Sequence, residues 1–218
     1  MKSASTHRFL IHSLTAVTLA CALGGCVPLM VGGAVMTGMV ASDRRTSGTQ
    51  LEDEGIEVRI SNRINDVLGD RAHINATSYN RLVLLTGEVG SAYDRQLAEQ
   101  TVARVENVRS VFNELAVIGS SSLTQRSGDG IITGRVKATL LDTPDIAASA
   151  FKVVTERGVV YLMGRVTQRE AERATEAVRG VSGVQKVVRV LEIISEVELH
   201  RIQAEQAAAQ PNTAPRNN

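Results

Sequence analysis

Two nine-residue stretches, RLVLLTGEV at 81–89 and GVVYLMGRV at 158–166, say nearly the same thing twice. A chain that repeats a strand-like run in this way is built from two copies of one unit. The surrounding positions keep the register. Ile56, Ile60 and Ile64 return as Ile132, Val136 and Leu140 at an offset of 76, and Gly87 answers to Gly164 at 77. Val102, Val105, Val108 and Val111 return as Val178, Val181, Val184 and Val187, again at 76. One residue of slippage is what a changed loop leaves behind. What recurs is apolar or turn-forming and what differs is polar, so the repeat describes a scaffold used twice rather than one catalytic site divided between halves.

Each copy has the same internal order. Isoleucines every four residues place Ile56, Ile60 and Ile64 on one helical face. HINATS and LVLLTGEV are extended runs joined at Tyr79, Asn80 and Arg81, where asparagine suits a tight turn. Ser91 and Asp94 resemble a capping box and open a helix, and a strand around Val108 to Val117 closes the copy. The second copy carries a full capping box at Thr167 and Glu170, and a hairpin turn at Glu156, Arg157 and Gly158. The expected fold class is therefore α+β: two tandem modules, each a helix-strand-strand-helix-strand unit with a three-stranded sheet packed on two helices. The expected modules are 51–118 and 131–194, and the polar stretch 119–130 (GSSSLTQRSGDG) reads as a linker. Residues 195–218 read as a helical extension to about Ala209 followed by a disordered Pro/Asn-rich tail.

The N-terminus belongs to export rather than to the fold. Lys2 and Arg8 precede an apolar run from Phe9 to Leu23, and Leu23-Gly24-Gly25-Cys26 follows. This resembles a bacterial lipoprotein signal of residues 1–25, in which the cut falls before Cys26. The resemblance implies diacylation of the Cys26 thiol and acylation of its new amino group. The charge-free run from Phe9 to Ala41 is long enough to span a bilayer, but five glycines and a proline interrupt its second half. Residues 26–50 read as a lipidated tether, either a leash or a segment whose first half lies against the lipid. Three acyl chains would make attachment effectively permanent. Val27 favours outer-membrane delivery, because lipoproteins retained at the inner membrane in many enteric bacteria resemble one another in carrying aspartate there.

Several function classes fall away. Lipidation of Cys26 and loss of Cys21 with the signal leave no thiol for a disulfide. His73 and His200 are the only histidines beyond the signal, and neither has a metal-ligand spacing around it. No phosphate loop or dinucleotide fingerprint occurs. Ser120, Ser121 and Ser122 lack a nearby histidine and a nucleophile elbow. An enzyme is not expected, nor is any cofactor beyond the covalent lipid on Cys26. Residues 26–218 hold 22 basic and 23 acidic side chains, a balance that does not suit nucleic-acid binding.

The stretches VVTERGVVYLMGRV (153–166), TQREAERA and VSGVQKVVRV resemble the BON family (bacterial OsmY and nodulation domain). With the lipidation box, the chain is similar to the dual-BON outer-membrane lipoproteins also called division and outer-membrane stress-associated lipid-binding proteins. The resemblance implies a small α+β module used in envelope integrity and phospholipid binding, at a periplasm-facing outer-membrane location, rather than in catalysis. This chain departs in having no tryptophan. Any lipid contact must use aliphatic groups instead of an aromatic interfacial anchor.

The copies differ most in charge: residues 51–118 carry a net of −4 and residues 131–194 a net of +3. A division of labour follows, with the basic copy facing anionic headgroups and the acidic copy facing a protein or the basic copy itself. Within IITGRVKATLLD (131–142), Ile132, Val136 and Leu140 form the core stripe. Ile131 and Leu141 are left on the opposite side, with Gly134 and Ala138 between them and Arg135 and Lys137 as flanks. These six residues are the candidate lipid-binding strip. In the alternative, Leu141 packs against the neighbouring helix and Ile131 merely ends the linker. The matching positions in the first copy are Gly55, Val58, Asn62 and Asn65, flanked by Arg59 and Ser61. The expected partners are anionic phospholipid of the outer membrane and, in the rival reading of a lipid-anchored adaptor, envelope assembly proteins or the cell wall.

Overall fold

The computed structural model describes residues 43–119 and 123–209. Cys26, Ser120, Ser121, Ser122 and the tail 210–218 lie outside the described residues. Helix α1 (Ser47–Leu68) starts at Thr46, whose Oγ1 accepts the Thr49 amide at 3.1 Å. It buries Ile56, Ile60, Ile64 and Leu68 and stops at Gly69, where φ is +53°. A turn of 3-10 helix (Gly69–Arg71) leads into β1 (Ala72–Tyr79). Two residues with positive φ, Asn80 at 51° and Arg81 at 66°, reverse the chain into β2 (Leu82–Val89). Positive φ at both central residues matches the twist of a hairpin. Helix α2 (Ala92–Ala103) then carries the chain back to β3 (Ser110–Asn113) and β4 (Ala116–Val117), both parallel to β2. Parallel pairing needs such a crossover.

The second copy repeats the path. Helix α3 (Leu123–Asp142) leads to β5 (Phe151–Glu156), whose hairpin with β6 (Val159–Thr167) turns through Arg157 (φ 53°) and Gly158 (φ 75°). Helix α4 (Gln168–Arg179) follows, then β7 (Lys186–Ile194), parallel to β6, and α5 (Glu196–Ala209). The α+β class and the helix and strand order match the sequence-based expectation.

Alternation along the central strands shows how the modules combine. Val83, Leu85 and Val89 of β2 pack on α1 and α2, and Val160, Leu162 and Val166 of β6 pack in the core of the second module. The intervening residues form a third cluster: Leu84 and Tyr79 from the first sheet meet Tyr161, Met163 and Val190 from the second. The two sheets therefore stack face to face with the helices outside, in four layers. Both faces of each central strand are covered, so Val83, Leu84, Leu85, Val160 and Leu162 are all fully buried.

Four expectations need correcting in detail. Helix α1 begins at Ser47 rather than at 51, and residues 43–45, assigned to the tether, are fixed to the body by ion pairs. Helix α3 begins at Leu123, so the second part of the stretch read as a 119–130 linker is helical. The third strand of the first sheet is broken into β3 and β4, because the Asn113 side chain takes the Leu115 amide at 3.2 Å and Leu115 turns into the core. Finally, one polar position does recur. Asp53 accepts the amides of Asn80 and Arg81 at 2.7 and 2.8 Å, and Asp129 accepts those of Arg157 and Gly158 at 2.7 and 2.8 Å. Each hairpin turn presents both amides in one direction, and a buried aspartate on the preceding helix accepts them.

Candidate membrane-contact surface

Helix α3 carries the candidate strip because its inner face is spent on the core. Val136 and Leu140 are buried and Ile132 is half-buried against the same cluster. The opposite face is open. Ile131 is 58% exposed and Leu141 65% exposed, so Leu141 does not pack against a neighbouring helix. Gly134 and Ala138 are exposed between them, and a Cβ added at Gly134 would meet nothing within 4 Å. Arg135 and Lys137 are also exposed, and among the described residues Lys137 has no hydrogen-bond or ion-pair partner. Arg135 leans toward the loop after α4, where its Nη1 donates to the Ser182 carbonyl at 3.2 Å. All six predicted residues thus lie on one solvent-facing helix surface, with the Arg135 charge partly turned toward the protein.

The corresponding surface of α1 is different in charge more than in apolarity. Val58 is 61% exposed and Leu51, two turns earlier, 71%. The sequence reading therefore understated the apolar content of α1. Its one flanking cation, Arg59, is matched by Glu52 at 2.6 Å. Exposed Glu54 and half-exposed Glu57 stand beside Val58. The flanks of the exposed strip are thus acidic on α1 and basic on α3.

Part of the charge asymmetry is consumed between the modules. Lys152 reaches Glu57 at 2.9 Å and Arg157 stands 3.6 Å from buried Glu88, while Arg109 and Glu192 pair in the opposite sense at 2.9 Å. Burial pushes the Glu192 carboxyl up, but Asn80, Arg109 and Arg165 outweigh it and hold it below the usual range.

Sequence reasoning did not anticipate the strap formed by residues 43–45. Arg44 is 6% exposed and makes a two-pronged pair with Glu170 at 2.7 and 2.8 Å, while also donating to the Arg165 carbonyl at 2.8 Å. Arg45 pairs with Asp53 at 2.9 Å and lies 4.2 Å above the Tyr79 ring. Gln206 of α5 donates to the Asp43 carbonyl at 2.7 Å. The strap thus grips the first module, the second module and the C-terminal helix together. It also brings the chain that leads back toward Cys26 to the first turn of α4. Next to Glu170, Arg169 donates to the Asp145 carbonyl at 2.8 Å, three residues beyond the end of α3. The strap therefore lies at the Leu141 end of the candidate helix.

No group of three or more histidine, cysteine or acidic side chains that could hold a metal occurs among the described residues. Nor, among them, is any helix long and apolar enough to cross a membrane.

Comparison with known proteins agrees with this architecture. The BON domain matches twice, at residues 52–119 and 128–195. Outer membrane lipoprotein DolP of Haemophilus influenzae is 37% identical over 71% of this chain and 81% of its own length. The 21 kDa hemolysin of Actinobacillus pleuropneumoniae is 34% identical over 63% of this chain and 72% of its own. Osmotically-inducible protein Y of Escherichia coli is 29% identical over 62% of this chain and 69% of its own. These relatives are named for location, hemolysis and induction, none for a reaction. The doubled α+β unit, the two domain matches and the extent of these similarities make one conclusion: the chain belongs to the BON-domain family, as a two-domain member.

Proposed function

We propose that this protein is an outer-membrane lipoprotein, anchored through acylated Cys26 and facing the periplasm, whose second BON module engages anionic phospholipid through α3 and so helps maintain the envelope. The observation that carries the reading is the open strip on α3: Ile131 and Leu141 stand exposed at either end of a smooth surface, beside a lysine with no partner among the described residues. Aliphatic groups suit the headgroup boundary, and each cation near an anionic surface contributes about 1 kcal/mol that salt removes. The similarity to an outer membrane lipoprotein supports the location.

The test uses the unacylated mature chain and vesicles with and without anionic lipid. Leu141→Glu, and Arg135→Glu with Lys137→Glu, should each weaken binding to anionic vesicles by about tenfold or more, since about 2 kcal/mol of attraction is removed. Thermal unfolding should stay within about 0.5 kcal/mol of the parent, because these side chains are exposed. Asn65→Glu in the first copy should change nothing. Indifference of all variants to anionic lipid would sink the reading and leave the lipid as a mere anchor for a protein-interaction adaptor.

A further inference from the structure

Between the C-terminal halves of α1 and α2 lies an open cavity of about 390 Å³, lined by Arg63, Asp66, Val67, Thr101 and Arg104. Positions three and four apart share one face of a helix. Arg63, Asp66 and Val67 therefore reach the cavity together from α1, and Thr101 and Arg104 together from the end of α2. The volume falls within the range of small-molecule sites.

The two arginines of the cavity stand apart from the others of the first module. Arg59, Arg71, Arg81, Arg95 and Arg109 each donate to a carboxylate or a carbonyl oxygen. The side chains of Arg63, Arg104 and Asp66 have no partner among the described residues. Helix ends do not account for them. Orphan carbonyls at a helix C-terminus attract cations, but here other groups meet them. Arg71 donates to the Val67 carbonyl at 3.0 Å, and the amides of Arg104 and Val105 donate to the Thr101 and Val102 carbonyls at 3.3 and 3.0 Å. Nor does the fold require these cations. At the offset of 76 that relates the helices, Arg63 is replaced by Thr139, Thr101 by Ala177 and Arg104 by Gly180, and the second module forms the same pair of helices without them.

We propose that this cavity binds a small zwitterion in which a phosphate is joined to an ammonium group, of the phosphoethanolamine kind, with Arg63 and Arg104 on the phosphate and Asp66 on the ammonium. Two guanidiniums arriving from different helices suit a tetrahedral phosphate, whose oxygens diverge, whereas a planar carboxylate is satisfied by a single arginine fork. The Thr101 hydroxyl is available as a further donor to phosphate, and Val67, 39% exposed, covers the carbon linker. Asp66 would repel a plain anion, so a ligand that also carries a positive group fits the lining better. Such a group occurs free or as the headgroup of a lipid. The proposal stands apart from the α3 strip, since the two sites share no residue and lie in different modules.

The experiment titrates phosphoethanolamine into the unacylated mature chain and follows amide and arginine side-chain NMR signals. Saturable shifts confined to the ends of α1 and α2 are expected. Arg63→Gln and Arg104→Gln should each weaken binding about fivefold, the worth of one exposed ion pair, and together abolish it. Urea unfolding should not change, because both side chains are exposed. Inorganic phosphate should bind about fivefold more weakly than phosphoethanolamine, and Asp66→Asn should remove that preference. Vesicles of phosphatidylethanolamine, added to the chain carrying Leu141→Glu, separate the two sources: displacement of phosphoethanolamine marks a lipid headgroup, and retention marks a free ligand. The idea is overturned if no saturable shift occurs at these helix ends. It is equally overturned by binding that survives the double arginine substitution, or by a preference over phosphate that survives Asp66→Asn.

Discussion

A Cβ built on Gly87 would collide with the His73 carbonyl oxygen, and one on Gly164 with that of Ala150. The repeated glycines of β2 and β6 are there because the neighbouring strand comes too close for any side chain, which is a structural use and not a ligand site. Glu156 shows a different residue-level tension. Burial pushes its carboxyl up, helped by Glu88 and Asp129, while a hydrogen bond from Asn75 works in the opposite direction. A carboxyl whose folded pKa is raised contributes stability when protonated, below its unfolded value, and loses that contribution as pH rises through the folded value. Glu156→Gln should therefore be more stable than the parent at neutral pH and equal to it in acid. Urea titrations at the two pH values check this, and a less stable variant at neutral pH would contradict it. The glycines were legible from their repetition. The crowding around Glu156 was not, because Glu88, Asp129 and Glu156 come from separate elements and no local spacing connects them.

At the scale of elements, helix caps and turns were the most readable features. Thr167 and Glu170 satisfy both ends of a capping box at 3.3 and 2.9 Å, as their spacing predicts. The start of α3 was not readable. Its sequence from 123 to 130 contains two glycines and looks like a linker, yet Asp129 ties it down by accepting two turn amides from the hairpin 28 and 29 residues further on. Removing that carboxylate leaves two amides without a partner, at a cost of about 1 to 3 kcal/mol for each one that stays buried. Asp129→Ala should lower stability by about 3 kcal/mol. Hydrogen exchange should show protection lost first in the opening turns of α3 and around Arg157 and Gly158. Uniform loss along α3 would mean that the aspartate has no local role.

For the whole molecule, the strap is the decisive device. Burial raises the carboxyls of Asp53 and Glu170, but hydrogen bonds outweigh it: from Ser78, Arg81, Arg45 and Asn80 to the first, and from Arg44 and Thr167 to the second. Both carboxyls are held below the usual range. Carboxylates depressed by folding add stability above their unfolded pKa and lose it as pH falls through the folded one. The joint between the modules should therefore weaken progressively below about pH 4. Arg44→Ala leaves Glu170 buried without its cation and should cost about 3 kcal/mol at neutral pH. The penalty should shrink in acid, where Glu170 is neutral; a loss of equal size at all pH values would count against the ion pair. The amino-acid sequence by itself determined the duplicated unit, the order of its elements and the inward face of each helix, because periods of two and of nearly four residues are local properties of the backbone. It left open what covers the second face of LVLLTGEV and VVYLMGRV, since strands apolar on both sides fit any apolar partner. Only the tertiary structure decided that each sheet covers the other and that Arg44 seeks Glu170 across 126 residues. A charge carries no period, and its partner is chosen by the fold that brings the two into the same dry space.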